Sequence, residues 1–101
     1  MSTAYLEQVL WDEFRRDVAD QNLTIHTDAA ALMRELIAGM AQHIFRGGDV
    51  ALANARARVR RLSRRMGNYC TSNNLTEIDA IVFHHSRPLT GRFKAFTEED
   101  A

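Results

Sequence analysis

The chain has 101 residues, of which 46% are hydrophobic and 26% are charged, and its formal net charge is zero. Its length supports one modest hydrophobic core, and these proportions exclude a disordered or fibrous protein. The single cysteine, Cys70, cannot form an internal disulfide, and no window is apolar enough to span a membrane. We therefore expect a soluble protein of the reducing cytoplasm, without a secretory signal.

The neutral total results from an uneven distribution of charge along the chain. Residues 1–48 carry seven acids and four arginines, residues 49–70 one acid and six arginines, and residues 71–101 five acids and three bases. A basic excess over the whole chain, which is the usual mark of a nucleic-acid-binding module, is missing. Electrostatic binding of an anionic partner would therefore depend on the central segment.

A first helix is expected over about residues 3–21, where Ser2 or Thr3 can accept hydrogen bonds from the backbone amides of the first turn. An apolar residue recurs every four positions along one side of this helix. This stripe consists of Leu6, Leu10, Phe14 and Val18. We interpret the charged residues on the other side as a solvated surface, and residues 21–26 as a linker within the domain.

The second helix is expected over about residues 28–46, with Thr27 as its cap. Its broad apolar face makes it the most hydrophobic segment, so we expect it at the centre of the core. Gly47 and Gly48 then end the helix, since glycine readily adopts the left-handed conformation that follows a helix. So short a connection predicts that the second and third helices form an antiparallel hairpin.

The third helix, expected over about residues 50–70, carries the pattern on which the functional interpretation depends. Its apolar residues recur at alternating steps of three and four, which predicts a seam packed on the bundle. The seam consists of Leu52, Ala55, Val59, Leu62, Met66 and Tyr69. The opposite side is an arginine face, which consists of Arg56, Arg58, Arg60, Arg61, Arg64 and Arg65. Positions 56, 60 and 64 form one ridge of this face, and positions 58, 61 and 65 form another.

A short fourth helix is expected over about residues 77–86, because residues 76–79 resemble a helix-capping sequence. The apolar run at 78–83, in which positions 78, 81 and 82 are expected to be buried, is also compatible with a strand. The tripeptide Asn-Leu-Thr occurs at 22–24 and again at 74–76, shortly before an apolar helix each time. Three residues are too few to indicate an internal repeat.

Pro88 and Gly91 end the regular structure, which divides the chain into a single helical domain, residues 1–90, and a C-terminal tail, residues 91–101. The tail carries Phe93 and Phe96, three positions apart, before an acidic end. These two rings either dock on the bundle or form a short motif that binds a partner.

The sequence holds no pattern that indicates catalysis, a cofactor or a small-molecule substrate. The histidines at 26, 43, 84 and 85 are not spaced as a pair of metal ligands. Cys70 has no recognisable base beside it, and the Gly47-Gly48 turn lacks the lysine and the spacing of a phosphate-binding loop. We therefore expect a protein that is not an enzyme and needs neither a metal nor a cofactor.

The arginine face is the remaining candidate for a functional site. Six like charges within about two and a half helical turns repel one another, and only Asp49 lies on the same helix to offset them. Acids of the first helix, a partner protein or phosphates could each supply the neutralising charge. We interpret the chain as a small binding protein, a regulator or inhibitor, that docks this face on an acidic protein surface.

The partner could also be a second copy of the chain, and the alternative function is nucleic-acid binding by the same arginines. Positions 56–65 lack the asparagine, glutamine or aromatic side chains that read bases. The protein-partner hypothesis predicts that changing both Arg60 and Arg64 to glutamate leaves the fold intact and abolishes binding.

Overall fold

A computed structural model describes residues 2–45 and 48–86 of the chain. These residues form four helices and two strands of two residues each, so the predicted all-α fold is confirmed. In chain order the elements are α1 (Thr3–Asp20), β1 (Thr24–Ile25), α2 (Thr27–Ile44), α3 (Gly48–Ser72), β2 (Glu77–Ile78) and α4 (Ala80–Ser86). The tail with Phe93 and Phe96 and the domain boundary at residue 90 lie outside the described residues. None of the described helices combines the length and hydrophobicity needed to cross a membrane.

One hydrophobic core joins the four helices. It is formed by Leu6, Leu10, Phe14 and Val18 of α1; Ala29, Met33, Leu36, Ile37, Met40, Ala41 and Ile44 of α2; Ala55, Val59, Leu62, Met66 and Cys70 of α3; and Ile78, Val82 and Phe83 of β2 and α4. α1 packs extensively on both α2 and α3, which contact each other less. The position between the other two long helices, expected for α2, is therefore occupied by α1. The antiparallel arrangement of α2 and α3 stays a prediction.

The first two helices are capped by side chains that accept a hydrogen bond from the backbone. Ser2 caps α1, as predicted, because its hydroxyl oxygen accepts from the Tyr5 N–H at 3.1 Å. The cap of α2 is His26 and not Thr27, since Nδ1 of His26 accepts from the Asp28 N–H at 3.2 Å. Both helices therefore begin within one residue of their predicted starts.

The fourth helix is shorter than predicted. Oδ1 of Asp79 accepts a hydrogen bond from the Val82 N–H at 2.9 Å, so the cap lies three residues after the expected one. The preceding residues, Glu77 and Ile78, form a strand instead of the first helical turn. Ile81, which was expected in the core, is 63% exposed, because Val82, Phe83 and Ser86 form the buried side of α4 and Ile81 lies on the other side.

The two Asn-Leu-Thr segments end α1 and α3 in the same way. Asn22 (φ 61°) and Asn74 (φ 56°) both have a left-handed backbone conformation. The leucine that follows each asparagine donates its N–H to the carbonyl five positions earlier, at 3.2 Å after α1 and 2.8 Å after α3. Each asparagine N–H donates to the carbonyl three positions earlier, at 2.9 and 3.4 Å. These are the hydrogen bonds of a Schellman motif, so the tripeptide is a helix end used twice.

β1 and β2 follow these two helix ends and pair in parallel, with Thr24 opposite Glu77 and Ile25 opposite Ile78. The N–H groups of Thr24 and His26 donate across the pair at 3.1 and 2.8 Å. The interpretation of residues 21–26 as a linker is therefore wrong for residues 24–25. The strand was missed because its partner is distant in the sequence, and a two-residue strand leaves no periodic pattern.

Asn22 and Asn74 can be tested by a pair of substitutions at each position. A change to alanine is expected to lower the free energy of unfolding by about 1 kcal/mol, because an ordinary side chain is strained in the left-handed region. A change to glycine is expected to be neutral or stabilising, since glycine adopts this conformation without that strain. Urea denaturation measures both changes. Equal losses for alanine and glycine would contradict the assignment of these helix ends.

Candidate functional site: the arginine face of the third helix

The arginine face lies on the side of α3 opposite the buried seam, on a helix that runs without a break through Gly67 to Ser72. Seam positions 55, 59, 62 and 66 are buried, and positions 52 and 69 are half-buried, which fixes the rotation of the helix. The two predicted ridges have different surroundings. Positions 56, 60 and 64 contact acids of α1, whereas positions 61 and 65 are exposed and contact no carboxylate of the described residues.

Glu13 of α1 holds two arginines of the first ridge. Arg56 donates from Nε to Glu13 Oε1 at 2.9 Å, and Nη1 of Arg60 lies 3.3 Å from the same oxygen. The Glu13 side chain is only 10% exposed, whereas those of the two arginines are 45% and 46% exposed. A carboxylate that has lost most of its water needs charged donors, and these guanidinium groups supply them.

Asp17 lies one turn further along α1 and is held by several donors. Arg64 contacts both carboxylate oxygens, with Nε 3.1 Å from Oδ2 and Nη2 3.2 Å from Oδ1, and the Ser63 hydroxyl donates to Oδ2 at 2.7 Å. Burial raises the pKa of the Asp17 carboxyl. The hydrogen bonds from Arg64 and Ser63 and the charges of Arg64 and Arg60 more than offset this, so that the pKa lies below its usual value. Asp17 is therefore a buried charge at the interface of α1 and α3.

Gln21, at the C-terminal end of α1, completes this polar cluster. Its side-chain amide donates to Ser63 Oγ at 3.0 Å and to Asp17 Oδ2 at 3.3 Å. The Gln21 side chain fits here because residue 67 is a glycine. A Cβ added to Gly67 would lie 2.8 Å from Gln21 Cδ, which is too close for two carbon atoms. Glycine inside a helix costs about 1 kcal/mol relative to alanine. The close approach of Gln21 explains why α3 has a glycine at position 67.

The substitution Gly67→Ala is expected to have opposite effects in two backgrounds. In the wild type the new methyl group displaces Gln21, and the lost hydrogen bonds, about 1 kcal/mol each, outweigh the gain in helix propensity. In a Gln21→Ala background that clash is gone, so Gly67→Ala is expected to raise the free energy of unfolding by about 1 kcal/mol. Urea denaturation of the wild type, the two single variants and the double variant measures the coupling between Gln21 and Gly67. Additive effects of the two substitutions would contradict this explanation.

The outer part of the arginine face forms an open groove along α3, with a volume of about 570 Å³. It is lined by Ala57, Arg60, Arg61, Arg64, Arg65 and Asn68. Arg65 also donates from Nη1 to the carbonyl oxygen of Ser86, the last residue of α4, at 3.4 Å. Four of the six predicted arginines thus surround one groove. Arg56 is held by Glu13 outside this lining, and Arg58 is half-buried.

The groove has more positive than negative charge around it. Four guanidinium groups line it, and within residues 2–45 and 48–86 the carboxylates in contact with them belong to Glu13 and Asp17. Each guanidinium has five N–H donors. The contacts with α1 involve one nitrogen of Arg60 and two nitrogens of Arg64. These contacts leave N–H groups of both side chains for an anion in the groove.

Elsewhere in the described chain, a smaller pocket of about 230 Å³ lies between α1 and α2 and is lined by Ala4, Glu7, Gln8, Trp11, Arg34 and Ile37. In residues 2–45 and 48–86, no group of three or more His, Cys, Asp or Glu side chains is placed to hold a metal ion. Cys70 is buried, and burial raises the pKa of its thiol, so the reactive thiolate is disfavoured. His26 serves as a helix cap, and His85 stacks on Tyr69 with 5.0 Å between ring centroids.

Sequence analysis missed the four residues that hold the first ridge in place: Glu13, Asp17, Gln21 and Ser63. A signal was present, because Glu13 and Asp17 are four residues apart beside the apolar stripe of α1, and the arginines of the first ridge are also four residues apart. Two such rows match when their helices pack side by side. The general suggestion that acids of the first helix neutralise part of the arginine face agrees with these contacts.

Comparison with protein-family models, with curated proteins and with solved structures gives no match to this chain. A functional proposal therefore depends on the geometry and charge of the groove.

Proposed function

We propose that the protein is a small non-enzymatic binding protein of the cytoplasm, a regulator or inhibitor, that docks the groove of α3 on an acidic segment of a partner protein. The observation that supports this proposal is the groove itself, in which four guanidinium groups line one open surface and two of them already contact carboxylates of α1. A guanidinium binds a carboxylate in a bidentate geometry. A side chain that is held before binding loses less conformational entropy when it binds.

The dimensions of the groove suggest what the partner segment is like. From residue 57 to residue 68 the helix rises about 16 Å, and the arginines in each row, four residues apart, are separated by about 6 Å along the axis. Acids at positions i and i+4 of a helix repeat at the same distance, and acids at i and i+2 of an extended chain repeat at about 7 Å. A segment with several acids at either spacing fits the groove.

Nucleic-acid phosphates are the alternative ligand, and two observations favour an acidic protein segment instead. The net charge of the chain is zero, so there is no general attraction to a polyanion. The part of the groove lining that the structure describes includes no aromatic side chain on which a base could stack.

The proposal can be tested with fluorescein-labelled hexaglutamate and with a labelled 20-base-pair DNA duplex, both followed by fluorescence anisotropy at 50 and 200 mM salt. Hexaglutamate is expected to bind the wild type at 50 mM salt. The double variant Arg61→Glu, Arg65→Glu is expected to bind it at least tenfold more weakly, because two of the four cations in the groove become anions. Both substitutions avoid the contacts with Glu13 and Asp17, so the fold should persist.

The matched control is Arg15→Glu, Arg16→Glu, which makes the same change in net charge at two exposed positions of α1. This variant should retain most of the affinity. Equal losses for both double variants would indicate a general charge effect and contradict the proposal. Tighter binding of DNA than of hexaglutamate, falling about a hundredfold between 50 and 200 mM salt, would favour the nucleic-acid alternative.

A further inference from the structure

One end of the groove lies next to the point where the described chain stops. Nη1 of Arg65, which lines the groove, is 3.4 Å from the carbonyl oxygen of Ser86, and the sequence continues from Ser86 into residues 87–101. That stretch contains three consecutive acids, Glu98, Glu99 and Asp100. The chain therefore carries its own acidic segment, attached beside a groove that suits acids.

The connection is long enough to reach every part of the groove. Glu98 is twelve positions after Ser86, and twelve extended residues span up to about 40 Å, whereas the groove is only about 16 Å long. A segment tethered by so short a chain has an effective concentration in the millimolar range. Substantial occupancy then requires an intrinsic dissociation constant of only about a millimolar between the three carboxylates and the four guanidinium groups.

The other charges near the groove do not remove this attraction. Arg87, Arg92 and Lys94 precede the acids, and the nearest of them is four positions away, more than the Debye length of about 8 Å when the chain is extended. All four arginines of the groove are exposed, but Arg60 and Arg64 contact Glu13 and Asp17 of α1, whereas no carboxylate of the described residues contacts Arg61 or Arg65. Arg61 and Arg65 are therefore the cations best placed to meet the acidic segment.

We propose that residues 98–100 of the same chain occupy the arginine groove, so that an acidic partner has to displace them before it binds. This inference rests on the proposed function, because it uses the same groove and the same chemistry. It adds an internal competitor that lowers the apparent affinity of the chain for any acidic ligand. A partner must then carry more acids than this segment, or better spaced ones.

The test compares the full chain with the variant Glu98→Gln, Glu99→Gln, Asp100→Asn, which keeps the length and removes three charges. Labelled hexaglutamate is expected to bind this variant about three- to tenfold more tightly than the wild type. The matched control is Asp12→Asn, Glu35→Gln, Asp49→Asn, which removes three acids that are not in the tail. This control is expected to leave the affinity within a factor of two, and a gain equal to that of the tail variant would overturn the inference.

A second measurement needs no ligand. In ¹⁵N-labelled protein, the Nε–H signals of Arg61 and Arg65 are expected to shift when the tail acids are neutralised, and to stay in place in the control. Unchanged signals together with equal affinity for hexaglutamate would overturn the internal competitor and leave the proposed function intact. If the signals shift but hexaglutamate binds neither protein, the internal competitor is supported and the acidic-partner function fails.

Discussion

Asp17→Ala is expected to lower the free energy of unfolding by about 2–4 kcal/mol, a large part of the 5–15 kcal/mol typical of a domain. The substitution removes a 5% exposed carboxylate that accepts hydrogen bonds from Arg64, Ser63 and Gln21. Ser63 is fully buried, so its hydroxyl cannot turn to water for a replacement. Urea denaturation followed by circular dichroism measures the loss.

Asp12→Ala is the matched control, because Asp12 lies on the same helix and contacts Arg15 at 3.5 Å on the surface. An exposed pair of this kind contributes little, so the control is expected to cost less than about 0.5 kcal/mol. If the two substitutions cost the same, the cluster around Asp17 does not stabilise the interface between α1 and α3.

The stabilisation by Asp17 should also depend on pH, and the direction follows from its lowered pKa. A carboxylate whose pKa is lower in the folded state stabilises the fold above its unfolded pKa, and this contribution disappears as the pH falls through the folded pKa. The difference in unfolding free energy between the wild type and Asp17→Asn should therefore be largest near pH 7 and shrink below about pH 4. A difference that stays constant from pH 7 to pH 3 would contradict the lowered pKa.

The second large effect is expected from the double change Arg60→Glu, Arg64→Glu. It removes Arg64 from Asp17 and Arg60 from Glu13, which keeps Arg56, and places two new acids beside those buried carboxylates. Leaving a buried charge unpaired costs about 3–5 kcal/mol, and repulsion between like charges adds to this. The variant is expected to be largely unfolded at 37 °C by circular dichroism. This prediction differs from the one made from the sequence, that the same change leaves the fold intact.

The control for this prediction is Arg61→Glu, Arg65→Glu, which has the same change in charge on the same helix. This variant is expected to lower the free energy of unfolding by no more than about 1 kcal/mol, because Arg61 is exposed and Arg65 donates only one 3.4 Å hydrogen bond, to the carbonyl oxygen of Ser86. Similar stability of the two double variants would mean that the contacts of Arg60 and Arg64 with α1 contribute little. This comparison also shows why Arg61 and Arg65, and not the first ridge, are the positions at which binding can be tested separately from folding.

Much of the fold could be predicted because helices with one buried side carry their own periodic signal. The stripe of Leu6, Leu10, Phe14 and Val18 and the seam of α3 occupy the core as the sequence suggested. The short parallel strand pair could not be predicted in this way. Its residues are adjacent only after both halves of the chain have folded, and two residues are too few to show an alternation.

The site was predicted only in part, for a related physical reason. The helical spacing of the arginines placed them on one side of α3, but it could not say which of them meet α1. That depends on how far α1 is displaced along the axis of α3, and only the three-dimensional packing sets this. Glu13 and Asp17 hold Arg56, Arg60 and Arg64 against α1, so Arg61 and Arg65 are the arginines of the groove that contact no carboxylate of the described residues.

The pairing of β1 with β2 also bears on how the chain folds. Thr24 and Thr76 are joined although 52 positions separate them, so this contact closes a long loop and is expected late in folding. The amide protons of Thr24 and His26 are consequently reporters of the assembled chain, and their hydrogen exchange should slow only once all four helices have come together.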